Sequence, residues 1–128
     1  LKFYYKLITM QIYLHIPFCD SKCHYCSFNS YTDMFGYKEA YFNALKISLK
    51  HQLKEFKVKN ISSVFIGGGT PSSINAKYFE DIFNILNPLL EKNAEITIEA
   101  NPNSATKEWL KQIFNLGVNR VSFGVQSF

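Results

Sequence analysis

Apolar residues recur along this chain at two spacings, and the changes from one to the other divide it into elements. From Gln11 to Ile16, Ile12, Leu14 and Ile16 alternate with Gln11, Tyr13 and His15, the period of a strand, and Pro17 closes it. From Tyr37 to Phe56 the spacing lengthens to three and four, with Tyr41, Leu45, Leu49, Leu53 and Phe56 on one face of a helix. Ser63 to Ile66 is a short apolar strand that runs into Gly67-Gly68-Gly69-Thr70-Pro71. Asn75 to Glu91 reads as a second helix, with Phe79, Ile82, Phe83, Leu86 and Leu90 along one stripe and Pro88 near its end. Glu95 to Glu99 is a third strand. Thr106 to Leu116 is a third helix, with Thr106 suited to the N-cap and Gly117 to the stop. Asn119 to Val125 is a fourth strand.

Strand and helix alternate at the spacing of right-handed βαβ units, which predicts a parallel sheet in an α/β fold. Strands covered on both sides are normally apolar on both faces. Here Ile96 and Ile98 alternate with Thr97 and Glu99, and Val121, Phe123 and Val125 with Ser122, Gly124 and Gln126. Tyr13 and His15 likewise oppose Ile12, Leu14 and Ile16. One face therefore packs helices and the other lines a polar lumen. The cysteines, the glycine run, Glu99 and Gln126 all follow the carboxyl ends of strands, the rim where parallel α/β barrels bind ligands.

Composition narrows the class. In 128 residues, 47% hydrophobic and 16% aromatic, there is room for one globular domain with a real core. Fourteen Lys and Arg against ten Asp and Glu give a net charge of +4. The densest basic stretch, Lys50 to Lys59, closes a predicted helix, where cations complement the dipole, so no nucleic-acid partner is expected. No apolar run reaches the ~20 residues of a membrane span. The opening residues lack a secretory pattern, and the expected compartment is the reducing cytoplasm. Leu1 to Thr9 is expected to be a non-native or disordered extension, with Met10 as the start. Residues 10–128 then form the N-terminal part of a longer domain.

All three cysteines fall within Cys19-Asp-Ser-Lys-Cys23-His-Tyr-Cys26. The spacing of Cys23 and Cys26 lets two thiolates reach one metal centre, and Cys19 adds a third from the same loop. A four-iron cluster usually takes four thiolates, so three leave one iron open to a ligand. Zinc is the competing occupant, with a histidine completing the set; His24 is constrained by its ligand neighbours and His15 lies in a strand. An odd count argues against a structural disulfide. Gly67-Gly68-Gly69 lacks the Lys-Ser/Thr of a P-loop, but glycines at a strand end let a ligand approach the backbone closely. Glu99 reads either as a surface carboxylate or, by its alternation with Thr97, as a lumen group.

Tyr13-Leu-His-Ile-Pro-Phe-Cys19-x3-Cys23-x2-Cys26 resembles the cluster loop of radical S-adenosylmethionine proteins. It is most similar to the branch holding oxygen-independent coproporphyrinogen III oxidase and its haem-chaperone relatives, and the resemblance continues from Ile12 to Phe128. It implies the N-terminal part of a partial parallel (β/α)6 barrel, with four strands and three helices present. It implies a [4Fe-4S] cluster on Cys19, Cys23 and Cys26, with its fourth iron open to S-adenosylmethionine. Cofactor contacts carried over by resemblance are Tyr13, Tyr25, Gly68, Gly69, Thr70, Glu99 and Gln126. An electron donor, and haem or a porphyrinogen, are the implied partners. In the oxidases, one electron from the cluster yields a 5′-deoxyadenosyl radical that starts the decarboxylation of propionates to vinyls. The oxidases also carry a further cysteine two positions after the third, where this chain has Phe28. That departure favours the haem-chaperone relatives, with the decarboxylating oxidase as the alternative and a zinc-binding interaction domain as a further one.

Overall fold

The computed structural model describes residues 9–18 and 31–124, with side chains described from Met10 to Phe18 and from Gly36 to Gly124. Its elements are β1 (Thr9–Ile16), α1 (Tyr31–Glu55), β2 (Asn60–Gly68), α2 (Glu80–Leu86), β3 (Leu90–Ala100), α3 (Lys107–Leu116) and β4 (Arg120–Phe123). The four strands form one sheet in the order β1-β2-β3-β4, every neighbouring pair parallel. This is the α/β architecture that the alternation predicts. Among the described residues, no helix is long and apolar enough to cross a membrane.

The core lies on the helix side of the sheet. Leu14 and Ile16 of β1, Val64 and Ile66 of β2, and Ile96 and Ile98 of β3 are buried there. Phe42, Leu49 and Leu53 of α1, Ile82, Phe83 and Leu86 of α2, and Trp109 and Ile113 of α3 close over them. On the opposite face, register aligns Tyr13 with Phe65 and Phe65 with Thr97, and one step further along Glu99 with Ser122. Tyr13 and His15 are exposed there, as a lumen face requires, while Thr97 is buried.

Several details of the sequence reading change: α1 begins at Tyr31 rather than Tyr37, and Phe123, expected to pack against helices, is 50% exposed. The helix expected from Asn75 to Glu91 is α-helical only from Glu80 to Leu86, between 3-10 turns at Ala76–Phe79 and Asn87–Leu89. Pro88 is the cause at the C-terminal end: it has no N–H to give, and its ring clashes with the carbonyl four residues back. Leu90, expected on the helix stripe, is extended and opens β3, which is therefore longer than its Glu95–Glu99 kernel. Phe56, expected on the buried face of α1, is 57% exposed in the turn after it. Phe42 takes the core position instead, edge-on to Phe79 at 5.4 Å. By contrast, α3 begins and ends as expected, with Thr106 accepting from Trp109 N–H and Gly117 at φ 130°.

Candidate functional site

The ladder between β2 and β3 stops at Ile66 and Ile98. That between β1 and β2 runs on to Ile16 and Gly68, and that between β3 and β4 to Ala100 and Phe123. Past Ile66 and Ile98 each strand continues its backbone ladder only with its outer neighbour, so a crevice opens between their carboxyl ends. Its volume is about 100 Å³, and Gly68, Gly69 and Thr70 face Glu99 and Asn101 across it, with Gly124 beside them. Parting strands at the carboxyl end of a parallel sheet are where α/β folds bind ligands. A larger groove of about 210 Å³ runs between β1 and α1, but it lies along the flank of the sheet among side chains such as Ile12, Leu45 and Leu49. We place the site at the strand ends because the charged and backbone polar groups converge there.

A bond bridges the crevice at its mouth: Gly68 N–H donates to Glu99 Oε1 at 3.0 Å. Glu99 has space to lie there because a side chain on Gly67 would meet its carboxylate at 2.7 Å. Gly68 itself has φ +115°, a conformation few other residues adopt without strain. Beyond β2 the turn stays bonded to the stem of the cysteine loop. Gly69 N–H donates to the Ile16 carbonyl and Thr70 N–H to the Phe18 carbonyl, both at 2.6 Å. At Gly69 the space a Cβ needs is filled by the Phe18 backbone. The glycine run therefore has a role that sequence reasoning did not foresee: it docks the segment leading to Cys19 against the turn, as well as edging the crevice.

A second set of contacts fixes the same stem from the other side. Tyr41 donates its hydroxyl to the His15 carbonyl, and Phe18 packs edge-on against its ring at 5.6 Å. Burial, and secondarily the neighbouring Tyr13, push the Tyr41 phenol above its ordinary value. Tyr13 stacks on Phe65 at 6.1 Å and 17°, and its hydroxyl lies 3.0 Å from His15 Nδ1.

Of the residues named from the sequence, Gly68, Gly69, Thr70 and Glu99 are brought together at the crevice. Tyr13 stands apart from it on β1, connected through His15, whose ring lies against Gly68. Cys19, Cys23, Cys26, Tyr25 and Gln126 lie outside the described residues, as does Phe28. Among the described residues no three His, Cys, Asp or Glu side chains converge as a metal set. Asn101 of the crevice wall is bonded to Ser72, and Ser72 to Ser104, and this set was not foreseen. Their only signal in the sequence is a pair of turn-forming stretches, Pro71-Ser72-Ser73 and Asn101-Pro102-Asn103-Ser104.

A four-stranded parallel sheet with a crevice at its rim, and a cysteine loop rooted beside it, defines a class. Residues 13–128 match the Radical SAM superfamily, and the chain belongs to it. Within it, the chain is 42% identical over 132 residues to "Heme chaperone HemW" of Buchnera aphidicola subsp. Schizaphis graminum, covering 97% of this chain and 34% of that protein. It is 37% identical over 119 residues to the Bacillus subtilis protein of the same name, covering 91% and 31%. It is also 37% identical to "Radical S-adenosyl methionine domain-containing protein 1, mitochondrial" of Danio rerio, covering 94% and 28%. The fold superposes on coproporphyrinogen III oxidase (HemN) from Escherichia coli, a radical SAM enzyme, with a TM-score of 0.77 and 29% identity over 96% of this chain and 29% of that one. The chain thus spans about a third of the length of the curated relatives it matches.

Proposed function

We propose that this chain holds a [4Fe-4S] cluster on Cys19, Cys23 and Cys26 and binds S-adenosylmethionine at the crevice, as part of a haem chaperone. The observation that carries this reading is the bonding of the Phe18 stem to the Gly69–Thr70 backbone, which ties the root of the cysteine loop to the rim that Glu99 lines. The residues there fit a ligand bearing an amino group. Glu99 offers a carboxylate, and the splayed strand ends offer backbone polar groups without blocking side chains. When both are bound, cluster and S-adenosylmethionine supply radical chemistry. The chain's own part is to bind, orient and shield. Glu99 and the Gly68–Thr70 turn would hold the cofactor's amino acid end, Tyr13 would close the lumen side, and Tyr25 and Gln126 would complete the contacts.

Phe28, in place of a fourth nearby cysteine, and the relatives named as haem chaperones support chaperone over oxidase. The likeness to the coproporphyrinogen III oxidase structure favours the oxidase as second reading. Two measurements on the intact protein separate them. Haem titration should show saturable binding with a shifted absorption band. An anaerobic assay with coproporphyrinogen III, S-adenosylmethionine and a reductant should release no carbon dioxide above background. Turnover to the vinyl product without haem binding would replace the chaperone reading with the oxidase one.

A further inference from the structure

We propose that Ser72 is a positioning residue whose hydroxyl sets the width of the crevice between β2 and β3. The inference deepens the reading that this crevice takes S-adenosylmethionine, and rests on it for the identity of the ligand. Past Ile66 and Ile98 the two strands share no ladder, so their ends need another tie. Glu99 supplies one at the mouth, through Gly68 N–H. Ser72 supplies the other behind the lining, through Asn101, which does line the crevice. It is 3% exposed, two residues past the crevice-lining Thr70, and its Oγ accepts from Asn101 N–H at 2.8 Å.

The proton count closes a ring. Ser72 Oγ and Ser104 Oγ are 2.6 Å apart, so one of them donates to the other. Ser104 Oγ also has the Asn101 carbonyl at 3.4 Å as an acceptor. The assignment that uses every proton runs from Asn101 N–H to Ser72, from Ser72 to Ser104, and from Ser104 to the Asn101 carbonyl. Each hydroxyl then gives one bond and accepts one. The turn on the β3 side is stiff by itself, since Ser104 and Ala105 N–H both donate to the Asn101 carbonyl at 2.9 Å and Asn103 N–H to Asn101 Oδ1 at 2.8 Å. Ser72 is the group that couples this stiff turn to the glycine turn. Ser104 acts on the crevice through Ser72, because among the described residues its one side-chain bond to the β2 side is to Ser72.

The test compares Ser72→Ala, Ser104→Ala and the double variant in the anaerobically reconstituted protein. Ile113→Val, in the core under α3, serves as a destabilised control at a residue that does not line the crevice. S-adenosylmethionine is titrated by calorimetry, and hydrogen exchange is followed at the amides of Gly68 and Asn101. Ser72→Ala should weaken binding roughly tenfold, the scale of one net hydrogen bond with its partner left unpaired, and speed exchange at both amides. Ser104→Ala should have a smaller effect, and the double variant should bind as Ser72→Ala does, because the two hydroxyls act in series. Ile113→Val should lower the melting temperature and leave affinity unchanged. Wild-type affinity and wild-type exchange at Gly68 in Ser72→Ala would overturn the proposal, as would additive losses in the double variant. If Ser72→Ala does not fold, exchange at Gly68 in Ser104→Ala decides. Failure of the wild type to bind S-adenosylmethionine would instead sink the reading of the site, while exchange at Gly68 would still judge Ser72.

Discussion

Gly69→Ala should lower the melting temperature by about 10 °C and prevent stable cluster assembly. The added Cβ would lie inside the Phe18 backbone, 2.7 Å from its carbonyl carbon and closer still to the oxygen. Backbone cannot rotate aside as a side-chain tip can, so the stem and the turn must separate. Separation breaks the bonds from Gly69 N–H to Ile16 and from Thr70 N–H to Phe18. At about 1 kcal/mol each, with a further penalty for burying unpaired groups, the loss is on the order of 3 kcal/mol. For a domain of this size that corresponds to roughly 3–4 °C per kcal/mol. Gly36→Ala is the matched control. A side chain there meets nothing within 4 Å, and in a helix the exchange is worth about 0.5–1 kcal/mol of stability. It should raise the melting temperature and leave iron binding alone. Scanning calorimetry and iron content after reconstitution read both variants. An undisturbed Gly69→Ala protein would show that the stem does not dock on the glycine turn.

Glu99→Gln should weaken S-adenosylmethionine binding by about 10- to 100-fold, with little change in stability. The amide oxygen can still accept from Gly68 N–H, so the bridge across the crevice survives. What is lost is the charge. A hydrogen bond to a charged partner is worth about 1.5–3 kcal/mol, which sets that range. Glu99→Ala removes the bridge as well, so it should bind no better than Glu99→Gln and melt lower. Calorimetric titration alongside thermal melts separates the two effects. Equal affinity in Glu99→Gln and the wild type would mean that the carboxylate does not meet the cofactor's ammonium group.

Much of this was legible in the sequence, for identifiable reasons. The period-two pattern around Ile96 and Ile98 and the period-3.6 stripe of Ile82, Phe83 and Leu86 report burial on one face, which the sheet and α2 share. Caps are local, so Thr106 and Gly117 could be assigned from their neighbours alone. The end of α2 was misjudged because apolar spacing continues through Leu90, while the backbone constraint from Pro88 dominates. Phe56 was misjudged because the helix ends at Glu55, so the periodicity no longer places it. At the site, Gly68 and Glu99 were legible from strand ends and alternation. Ser72 was not, because its partners are 29 and 32 residues away and depend on which ladder stops first. The docking role of Gly69 was hidden for the same reason: its partner, Phe18, belongs to a different strand end.

The most direct test of the central claim is electron paramagnetic resonance of the protein after anaerobic reconstitution with iron and sulfide and reduction by dithionite, before and after S-adenosylmethionine is added. A brown protein is expected, with about four iron atoms per chain and the signal of a reduced four-iron cluster. That signal should change its g values when S-adenosylmethionine reaches the open iron. A colourless protein holding stoichiometric zinc, or a cluster whose signal ignores S-adenosylmethionine, would contradict the account.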